Sequence, residues 1–235
     1  MKPVIGIVSK NITHEKFYNW SWQRINNDVR YSINKNGALT LGIMPQTLRK
    51  DFNKSDKRDT VKMSRGEMLD LITIIDKCDG VVLQGGLSSH NYEEFIAKYC
   101  YKKDIPLLAI CSGYNNVIRA LGGKTQKNSN TNIHNRPDLQ YAHNCRVVDE
   151  KSLFFGIIKQ KIFNVNSIHE YIAIKLPKKL SVVALSQDNQ IEVVEAKDKS
   201  FYMAIKYHPE LLVDKDKIQN KIFKAFVEAC KKRQQ

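Results

Sequence analysis

The chain has 235 residues, 42% of them hydrophobic, and a formal net charge of +14. This length and apolar content suit an α/β domain with a sizeable core. The sequence contains no run of about 18 apolar residues, so we expect no membrane-spanning helix. The apolar stretch near the N-terminus is too short for a signal peptide and is interrupted by Pro3 and Gly6, so we expect a cytoplasmic protein.

The basic residues are spread along the chain, which favours a solvated basic surface over a nucleic-acid partner. An anionic substrate attracted by the overall field is a further interpretation, and the charge by itself does not decide among them. Five scattered cysteines form no CxxC pair, which argues against a disulfide framework or a zinc site. We expect neither a metal nor another cofactor.

The first half of the chain alternates strand-like and helix-like segments. Apolar residues four apart at Ile25, Val29 and Ile33 predict a helix, and Asn91 with Glu94 predicts the capped start of another. The predicted elements are strands at 3–8, 38–44, 79–86 and 106–110, and helices at 21–35, 68–75, 92–99 and after residue 111. Strands that alternate with helices predict a parallel sheet covered on both faces.

Residues 50–66 form a polar connection within the alternating part of the chain. After about residue 143 the pattern changes to short strand-like runs, and the polar stretch 123–142 before them is long for a structureless loop, which makes it a candidate functional loop. A final helix is predicted at about 214–232. Short strand-like runs precede it at 144–148, 161–166, 181–186, 191–196 and 201–207. Because no repeat or linker divides the chain, we predict one domain over residues 1–235.

Cys111 lies where a buried strand, "PLLAI", should end and a helix begin. Ligands bind at the carboxyl ends of strands in parallel α/β sheets. The small residues Ala109 and Gly113 would allow a sharp strand-to-helix turn there, and a helix N-terminus favours the thiolate form of a cysteine. The pattern thus predicts an exposed nucleophile, although a core cysteine that caps the strand is an equal alternative on spacing alone.

A thiolate nucleophile also needs a base, and the base needs a group that orients it. The stretch "AIKYHPEL" places His208 at the end of a predicted strand, and Glu210 follows closely enough to contact the imidazole. Cys111, His208 and Glu210 therefore form a candidate Cys–His–Glu triad. Taken alone, the His-Pro-Glu sequence is more typical of a surface turn.

The stretches "PLLAICSGYN", "DGVVLQGG" and "IKYHPE" resemble, in order and spacing, the three signature motifs of class I glutamine amidotransferase domains. Within that superfamily, "KPVIGIV", "VRYSINKNGALTLGIMP" and "NVNSIHEY" resemble the γ-glutamyl hydrolases, especially the γ-glutamyl-γ-aminobutyrate hydrolase family (peptidase C26). The resemblance covers nearly the whole chain. It implies a flavodoxin-like, three-layer α/β fold with a mostly parallel central sheet and a smaller antiparallel strand set in the C-terminal half.

The resemblance also implies roles for individual residues. Cys111 would be the nucleophile, His208 the base and then the acid, and Glu210 the group that orients His208. An oxyanion hole would be formed by backbone N–H groups of Gly85, Gly86 and Ser112, although Gly86 also fits a simple tight turn. Residues near the bound glutamyl group would be Tyr114, Asn115, Asn166, Ser167 and His169. For His169 alone, a structural histidine is the commoner interpretation.

Several positions depart from the family pattern. Asn115 stands where Gln is usual, Tyr114 replaces Met or Phe, and Glu170 and Tyr171 replace a frequent His and Gln. All four are expected to flank the pocket. A shorter amide at Asn115 and two added phenols lead to the hypothesis that glutamine is a poor substrate and that a γ-glutamyl conjugate of a bulkier amine is a better one, with negative charge on the amine favoured by the positive field. The alternative is that these positions drift without effect and that glutamine or γ-glutamyl-γ-aminobutyrate is cleaved normally.

Four further residues carry side chains that bind metals or ligands. His90 follows the glycine pair, and we expect it to be an exposed loop histidine. His134, His143 and Cys145 suggest a metal, but their spacing matches no ligand pattern.

The resemblance implies hydrolysis of a γ-glutamyl amide through a thioester, with a small γ-glutamyl compound as the substrate. One alternative is a glutaminase subunit that supplies ammonia to a separate synthase. Another is a non-catalytic binding protein, which an intact triad disfavours. The sequence does not define the amine leaving group, and it leaves a homo-oligomer open.

Overall fold

The computed structural model describes residues 1–14, 20–47, 62–87, 89–129 and 132–234. Its strands are β1 Val4–Val8, β2 Lys10–His14, β3 Trp20–Arg24, β4 Leu39–Ile43, β5 Gly80–Leu83, β6 Leu107–Ile110, β7 Lys124–Lys127, β8 His143–Val147, β9 Ile162–Val165, β10 Tyr171–Lys175, β11 Ser181–Ser186, β12 Ile191–Glu195 and β13 Tyr202–Ile205. Its helices are α1 Asn27–Lys35, α2 Arg65–Ile75, α3 Asn91–Lys103, α4 Ser112–Ala120, α5 Leu153–Ile158 and α6 Lys217–Lys232, with a 3₁₀ turn at Pro209–Leu212.

One large mixed sheet organises the fold. Its strand order is β4-β1-β5-β6-β13-β12-β11-β8-β9. The strands from β4 to β13 in this order run parallel, and those from β13 to β9 pair antiparallel. The short apolar strands β5, β6 and β13 are buried throughout, as the central strands of a sheet covered on both faces should be.

Helices cover both faces of the sheet. Apolar side chains of α1, α5 and α6 pack with one face, and those of α2, α3 and α4 pack with the other. The predicted α/β fold with a parallel sheet and a C-terminal antiparallel set is therefore confirmed. The antiparallel strands β12, β11, β8 and β9 continue the main sheet rather than forming a separate one.

The predicted helix at 21–35 was wrong in its first part. Residues 20–24 form β3, which pairs with β2, and α1 begins only after Asn26. The Asn26 side chain accepts a hydrogen bond from the Asp28 N–H and so fixes the helix start. Apolar spacing alone could not indicate this boundary, because Ile25 continues the pattern of the helix without belonging to it.

The start of α3 also differs by one residue from the prediction. His90 is the N-cap, and the carboxylate of Glu93, not that of Glu94, accepts its backbone N–H at 2.9 Å. His90 is completely buried, so the expectation of an exposed loop histidine was wrong.

The predicted loops hold further structure. Part of 123–142 forms β7, which pairs with β10, and α5 is a helix that the sequence patterns did not predict. Most of the polar connection 50–66 lies outside the described residues. Among the helices that the structure describes, none is both long and apolar enough to cross a membrane.

A glycine in α4 is required by a close approach to β5. A Cβ added at Gly113 would lie 2.2 Å from the Leu83 carbonyl oxygen, whereas one added at Gly156 in α5 would meet nothing within 4 Å.

We expect Gly113→Ala to lower the free energy of unfolding by about 2–3 kcal/mol. Gly156→Ala, the matched control, should raise it by about 0.5–1 kcal/mol through helix propensity. Urea unfolding measures both, and equal effects of the two substitutions would contradict the packing described here.

Candidate active site

Cys111 occupies a strained turn between β6 and α4. Its backbone has φ 53° and ψ −102°, a conformation that costs a non-glycine residue about 1–3 kcal/mol. Its N–H donates to the carbonyl oxygen of Ile205 at 2.9 Å, which ties the turn to the end of β13. The side chain is less open than predicted, since Cys111 is only 8% exposed and its Sγ lies 3.9 Å from the carbonyl oxygen of Ile168.

His208 and Glu210 lie just beyond the end of β13. Pro209 begins the 3₁₀ turn, which brings the Glu210 carboxylate back to the imidazole. Glu210 Oε1 lies 2.7 Å from His208 Nδ1. This contact favours a proton on Nδ1 and leaves Nε2 as the nitrogen that can exchange a proton with a reacting group.

Gly85 shows that the ends of three strands meet at this point. A Cβ added at Gly85 would lie 2.7 Å from His208 Cε1 and 3.4 Å from Cys111 Cβ. The turns after β5, β6 and β13 are therefore in contact, and a side chain at Gly85 would displace the imidazole. The sequence-predicted triad is assembled at the carboxyl ends of neighbouring parallel strands, where ligands bind in this type of sheet.

The electrostatics favour a thiolate–imidazolium pair. Burial opposes both charges, but the charge of His208, its hydrogen bond and the Lys206 ammonium together hold the pKa of Cys111 below its usual value. Burial likewise opposes the imidazolium, yet the charges of Glu210 and Cys111 raise the pKa of His208 well above its usual range. Both shifts favour the thiolate of Cys111 and the imidazolium of His208 over the neutral pair.

Of the three residues predicted for an oxyanion hole, Gly85 and Ser112 lie next to Cys111, and the role of all three stays a prediction. Gly85 and Gly86 follow β5, and Ser112 is the first residue of α4, where backbone N–H groups have no partner within the helix. Gly86 packs on the buried side chain of Lys10, which forms an ion pair with Glu93.

Gln84 fixes the glycine turn to the rest of the sheet. Its Nε2 donates to the carbonyl oxygens of Val8 and Arg24, each at 2.8 Å, and its Oε1 accepts the Asn26 N–H at 2.6 Å. This buried amide therefore joins three chain segments next to the predicted oxyanion hole. Sequence analysis did not single it out, because a glutamine before two glycines has many structural uses.

Two of the predicted substrate residues are on α4. Asn115 is 8% exposed, and its Oδ1 accepts a hydrogen bond from Lys206 Nζ at 2.9 Å. Tyr114 points the other way, into the core, where its hydroxyl donates to the carbonyl oxygen of Ile191 at 3.2 Å. The expectation that the Tyr114 phenol flanks the pocket was wrong, because this position of α4 faces the sheet.

The segment after β9 holds the remaining predicted residues. Asn166 accepts the His208 N–H at 2.9 Å and donates to the His208 carbonyl oxygen at 2.8 Å, so its amide positions the histidine instead of pointing freely at a substrate. Ser167 is fully buried and donates to the carbonyl oxygen of His134 at 2.9 Å, which likewise differs from the expected substrate role. His169 is 5% exposed, and burial, helped by Lys206, lowers its pKa well below the usual value.

The next two positions face outward. Glu170 forms an ion pair with Lys127 at 3.0 Å on the surface, and Tyr171, at the start of β10, is 36% exposed. The Glu170 carboxylate is engaged by Lys127 of β7, and the expectation that Glu170 and Tyr171 flank the pocket stays a prediction.

Lys206 is the functional candidate that sequence analysis missed. It is 1% exposed, and burial lowers its pKa to about 8. Its ammonium contacts Asn115, lies over the Tyr114 ring at 5.3 Å from the centroid, and interacts electrostatically with Cys111. The available signal was a lone lysine in an otherwise apolar strand, two residues before His208.

The comparisons with known proteins agree with this geometry. The chain is 31% identical over 157 residues to a glutamine-hydrolyzing GMP synthase subunit of Methanobrevibacter smithii, covering 66% of this chain and 74% of that protein. It is 26% identical over 191 residues to the γ-glutamyl-γ-aminobutyrate hydrolase of Escherichia coli, covering 67% and 74%. Other relatives, named GMP synthase (glutamine-hydrolyzing), are longer, and the chain spans only 24–26% of their length.

A solved structure shares the fold. The glutaminase domain of CTPS from Trypanosoma brucei, with bound acivicin, aligns with a TM-score of 0.67 at 14% identity and covers 98% of this chain and 94% of that one. Fold, site and relatives together define a class I glutamine amidotransferase-type hydrolase. Within that class, the peptidase C26 sequence profile matches residues 3–210, and the chain belongs to the peptidase C26 family.

The ionisation described above predicts which thiol reacts first. Iodoacetamide should label Cys111 fastest, because burial raises the pKa of the other four cysteines, to about 11 for Cys78. Peptide mapping after brief labelling of the folded protein measures the order. Faster labelling of Cys100 or Cys230 would contradict the thiolate assignment. Cys111→Ala serves as the control, because it shows the labelling of the other cysteines alone.

The Lys206 ammonium should also matter for the thiolate. Lys206→Met removes a buried positive charge, so the pKa of Cys111 should rise and its alkylation rate at neutral pH should fall several-fold. The pH dependence of alkylation measures this shift. Lys199→Met, which removes an equal charge from a lysine outside the site, should leave the profile in place; equal shifts in both variants would contradict a local effect.

Proposed function

We propose that the protein is a cysteine-dependent hydrolase that cleaves a γ-glutamyl amide through a γ-glutamyl thioester and releases glutamate and an amine. The observation that carries the proposal is the buried Cys111–His208–Glu210 arrangement, with Cys111 on a strained turn and Glu210 Oε1 2.7 Å from His208 Nδ1. The peptidase C26 match and the similarity to a γ-glutamyl-γ-aminobutyrate hydrolase support the substrate class.

In the first half of the reaction, the Cys111 thiolate attacks the γ-carbonyl carbon of the substrate. The carbonyl oxygen gains negative charge, and N–H groups of Gly85, Gly86 and Ser112 stabilise it. The tetrahedral intermediate then collapses, the C–N bond breaks, and His208 donates its Nε2 proton to the departing amine. A thioester between Cys111 and the γ-carbonyl carbon remains.

In the second half, a water molecule replaces the amine. The neutral His208 removes a proton from the water, which attacks the thioester carbon, and the C–S bond breaks to release glutamate. Cys111 returns to the thiolate and His208 to the imidazolium, so atoms and charges balance over the cycle. Glu210 holds the imidazole of His208, and Asn166 holds its backbone, through both steps.

The structure changes the basis of the substrate hypothesis. Tyr114 lies in the core and cannot contact a large leaving group, whereas Glu170 and Tyr171 are partly exposed and stay in the hypothesis. The hypothesis also depends on Asn115, whose Oδ1 is engaged by Lys206 and whose Nδ2 is the group left to contact a glutamyl head. We therefore keep the proposal that glutamine is a poor substrate, and we leave the size and charge of the preferred amine to experiment.

The second candidate function is a glutaminase subunit that supplies ammonia to a separate synthase. The similarity to proteins named as glutamine-hydrolyzing subunits of GMP synthase favours it. The same thioester chemistry serves both functions, because glutamine is the γ-glutamyl amide whose leaving group is ammonia. The two candidates differ in substrate preference and in their response to a partner chain.

One experiment tests both candidates. Wild-type protein is incubated with glutamine and with a panel of γ-glutamyl conjugates, and intact-mass spectrometry detects a γ-glutamyl adduct that is absent from Cys111→Ala. We expect kcat/KM for the best conjugate to exceed that for glutamine by more than about threefold, roughly 0.7 kcal/mol of discrimination. Glutamine as the best substrate, with turnover that rises on adding a synthase chain, would favour the glutaminase, and no adduct with any compound would refute both.

A further inference from the structure

A second group of chemically active side chains lies near the triad and takes no part in the mechanism above. We call it the His–Glu cluster: His134, His143, His169 and Glu192. His143 begins β8, Glu192 lies in β12, and His134 and His169 come from the connecting segments. Each residue is at most 6% exposed. The spacing of these residues in the sequence does not predict the cluster, because folding brings them together from distant parts of the chain.

The nitrogen atoms of three imidazoles surround one carboxylate oxygen. Glu192 Oε1 lies 3.5 Å from His134 Nδ1, 3.7 Å from His143 Nε2 and 3.6 Å from His169 Nε2. These separations exceed ordinary hydrogen-bond lengths. Within the described part of the chain, all four atoms are buried without a hydrogen-bond partner, and such groups in a folded protein normally have one or hold an ion or water.

In His134 and His143, the ring nitrogen that faces away from Glu192 (the outer nitrogen) has its own hydrogen-bond partner, which leaves the nitrogen that faces Glu192 (the inner one) available as a ligand. His134 Nε2 lies 3.0 Å from the carboxylate oxygen Oδ2 of Asp188, and His143 Nδ1 lies 3.3 Å from the carbonyl oxygen of Asn144. Protons on these outer nitrogens leave lone pairs on His134 Nδ1 and His143 Nε2, directed at Glu192. A carboxylate or carbonyl behind each histidine is the usual support of a metal ligand.

The dimensions fit a small divalent ion. Zinc bonded to nitrogen and oxygen at about 2.0–2.1 Å in tetrahedral geometry holds its ligand atoms about 3.3–3.4 Å apart. The distances to Glu192 Oε1 are only slightly longer, and the ligand atoms of His134, His143 and Glu192 all lie within 4.8 Å of one another. An ion would draw these three ligand atoms closer together, and His169 Nε2, which lies 3.6 Å from Glu192 Oε1 but outside this mutually close group, would have to move farther to join them.

We propose that the His–Glu cluster binds a divalent transition-metal ion of the zinc type. His134 Nδ1, His143 Nε2 and Glu192 are its ligands, and His169 Nε2 takes the fourth position. Three imidazoles and one carboxylate suit such an ion and form a closed site without an open position, which is typical of structural zinc. The site replaces the expectation from sequence that no metal is bound.

The position of the cluster suggests what the ion would hold. His169 belongs to the segment that carries Asn166, which clamps the backbone of His208, and Ile168, whose carbonyl oxygen lies beside Cys111 Sγ. An ion bound to His169 and to strands β8 and β12 would fix this segment against the sheet. The ion is therefore structural and has no part in the thioester chemistry.

The test uses Cys111→Ala protein, because the reactive thiol and His208 could themselves capture zinc. After loading with zinc and gel filtration, elemental analysis should find about one zinc per chain. Adding His143→Gln or Glu192→Gln should remove it. His90→Gln, at a buried histidine outside the cluster, should retain it, and circular dichroism confirms that each variant is folded.

X-ray absorption of zinc-loaded Cys111→Ala keeps the test decisive if the cluster variants fail to fold. The spectrum should show nitrogen and oxygen ligands at about 2.0–2.1 Å and no sulfur at about 2.3 Å. Absence of zinc from Cys111→Ala, a sulfur ligand, or zinc retained by both folded cluster variants would overturn the proposal. None of these results depends on turnover, so they are independent of the proposed hydrolase activity.

Discussion

The charged pair of Cys111 and His208, held in a largely buried position, is the interaction on which the rest of the site depends. Burial alone would make both groups neutral, since desolvation disfavours each charged form. Their mutual attraction reverses this tendency, and it is helped by the Glu210 carboxylate at His208 and by the Lys206 ammonium at Cys111. The fold provides the arrangement by bringing the ends of β6 and β13 together, and Gly85 at the end of β5 leaves the space that the imidazole occupies.

Buried polar side chains near the Cys111–His208 pair fix the positions of the backbone segments that surround it. Asn166 binds both backbone polar groups of His208, and Gln84 joins the glycine turn to two neighbouring segments. Lys206 interacts electrostatically with both the triad and the His–Glu cluster, because the charges of Cys111 and Glu192 act to raise its pKa against the larger effect of burial. The two centres are thus electrostatic neighbours, so a divalent ion at one would alter the field at the other.

The sequence predicted the features that depend on local chemistry. The apolar run before Cys111, the small residues around it and the His-Pro-Glu turn each specify a backbone geometry within a few residues, and the structure has that geometry at each place. The alternation of strands and helices likewise predicted the layered sheet. By contrast, the β2–β3 hairpin and helix α5 were missed, because short segments carry too little periodicity to separate a strand from a helix.

Contacts that depend on tertiary packing could not be predicted. The family resemblance placed Tyr114 near the substrate, but the orientation of α4 on the sheet turns this side chain into the core. Glu192 carried no signal as an acidic residue in a short strand-like run, and only tertiary packing brings it to His134 and His143. Lys206 had a detectable signal, yet its partner Asn115 comes from another element.

The central claim is that the thiolate–imidazolium pair exists before substrate binds. The ultraviolet thiolate absorbance of wild-type protein minus that of Cys111→Ala, followed across pH, measures the ionisation of this one sulfur. We expect a thiolate that forms below the usual cysteine range and that requires a higher pH to form in His208→Ala. A Cys111 that ionises at or above the usual cysteine pKa, or an unchanged profile in His208→Ala, would contradict the claim.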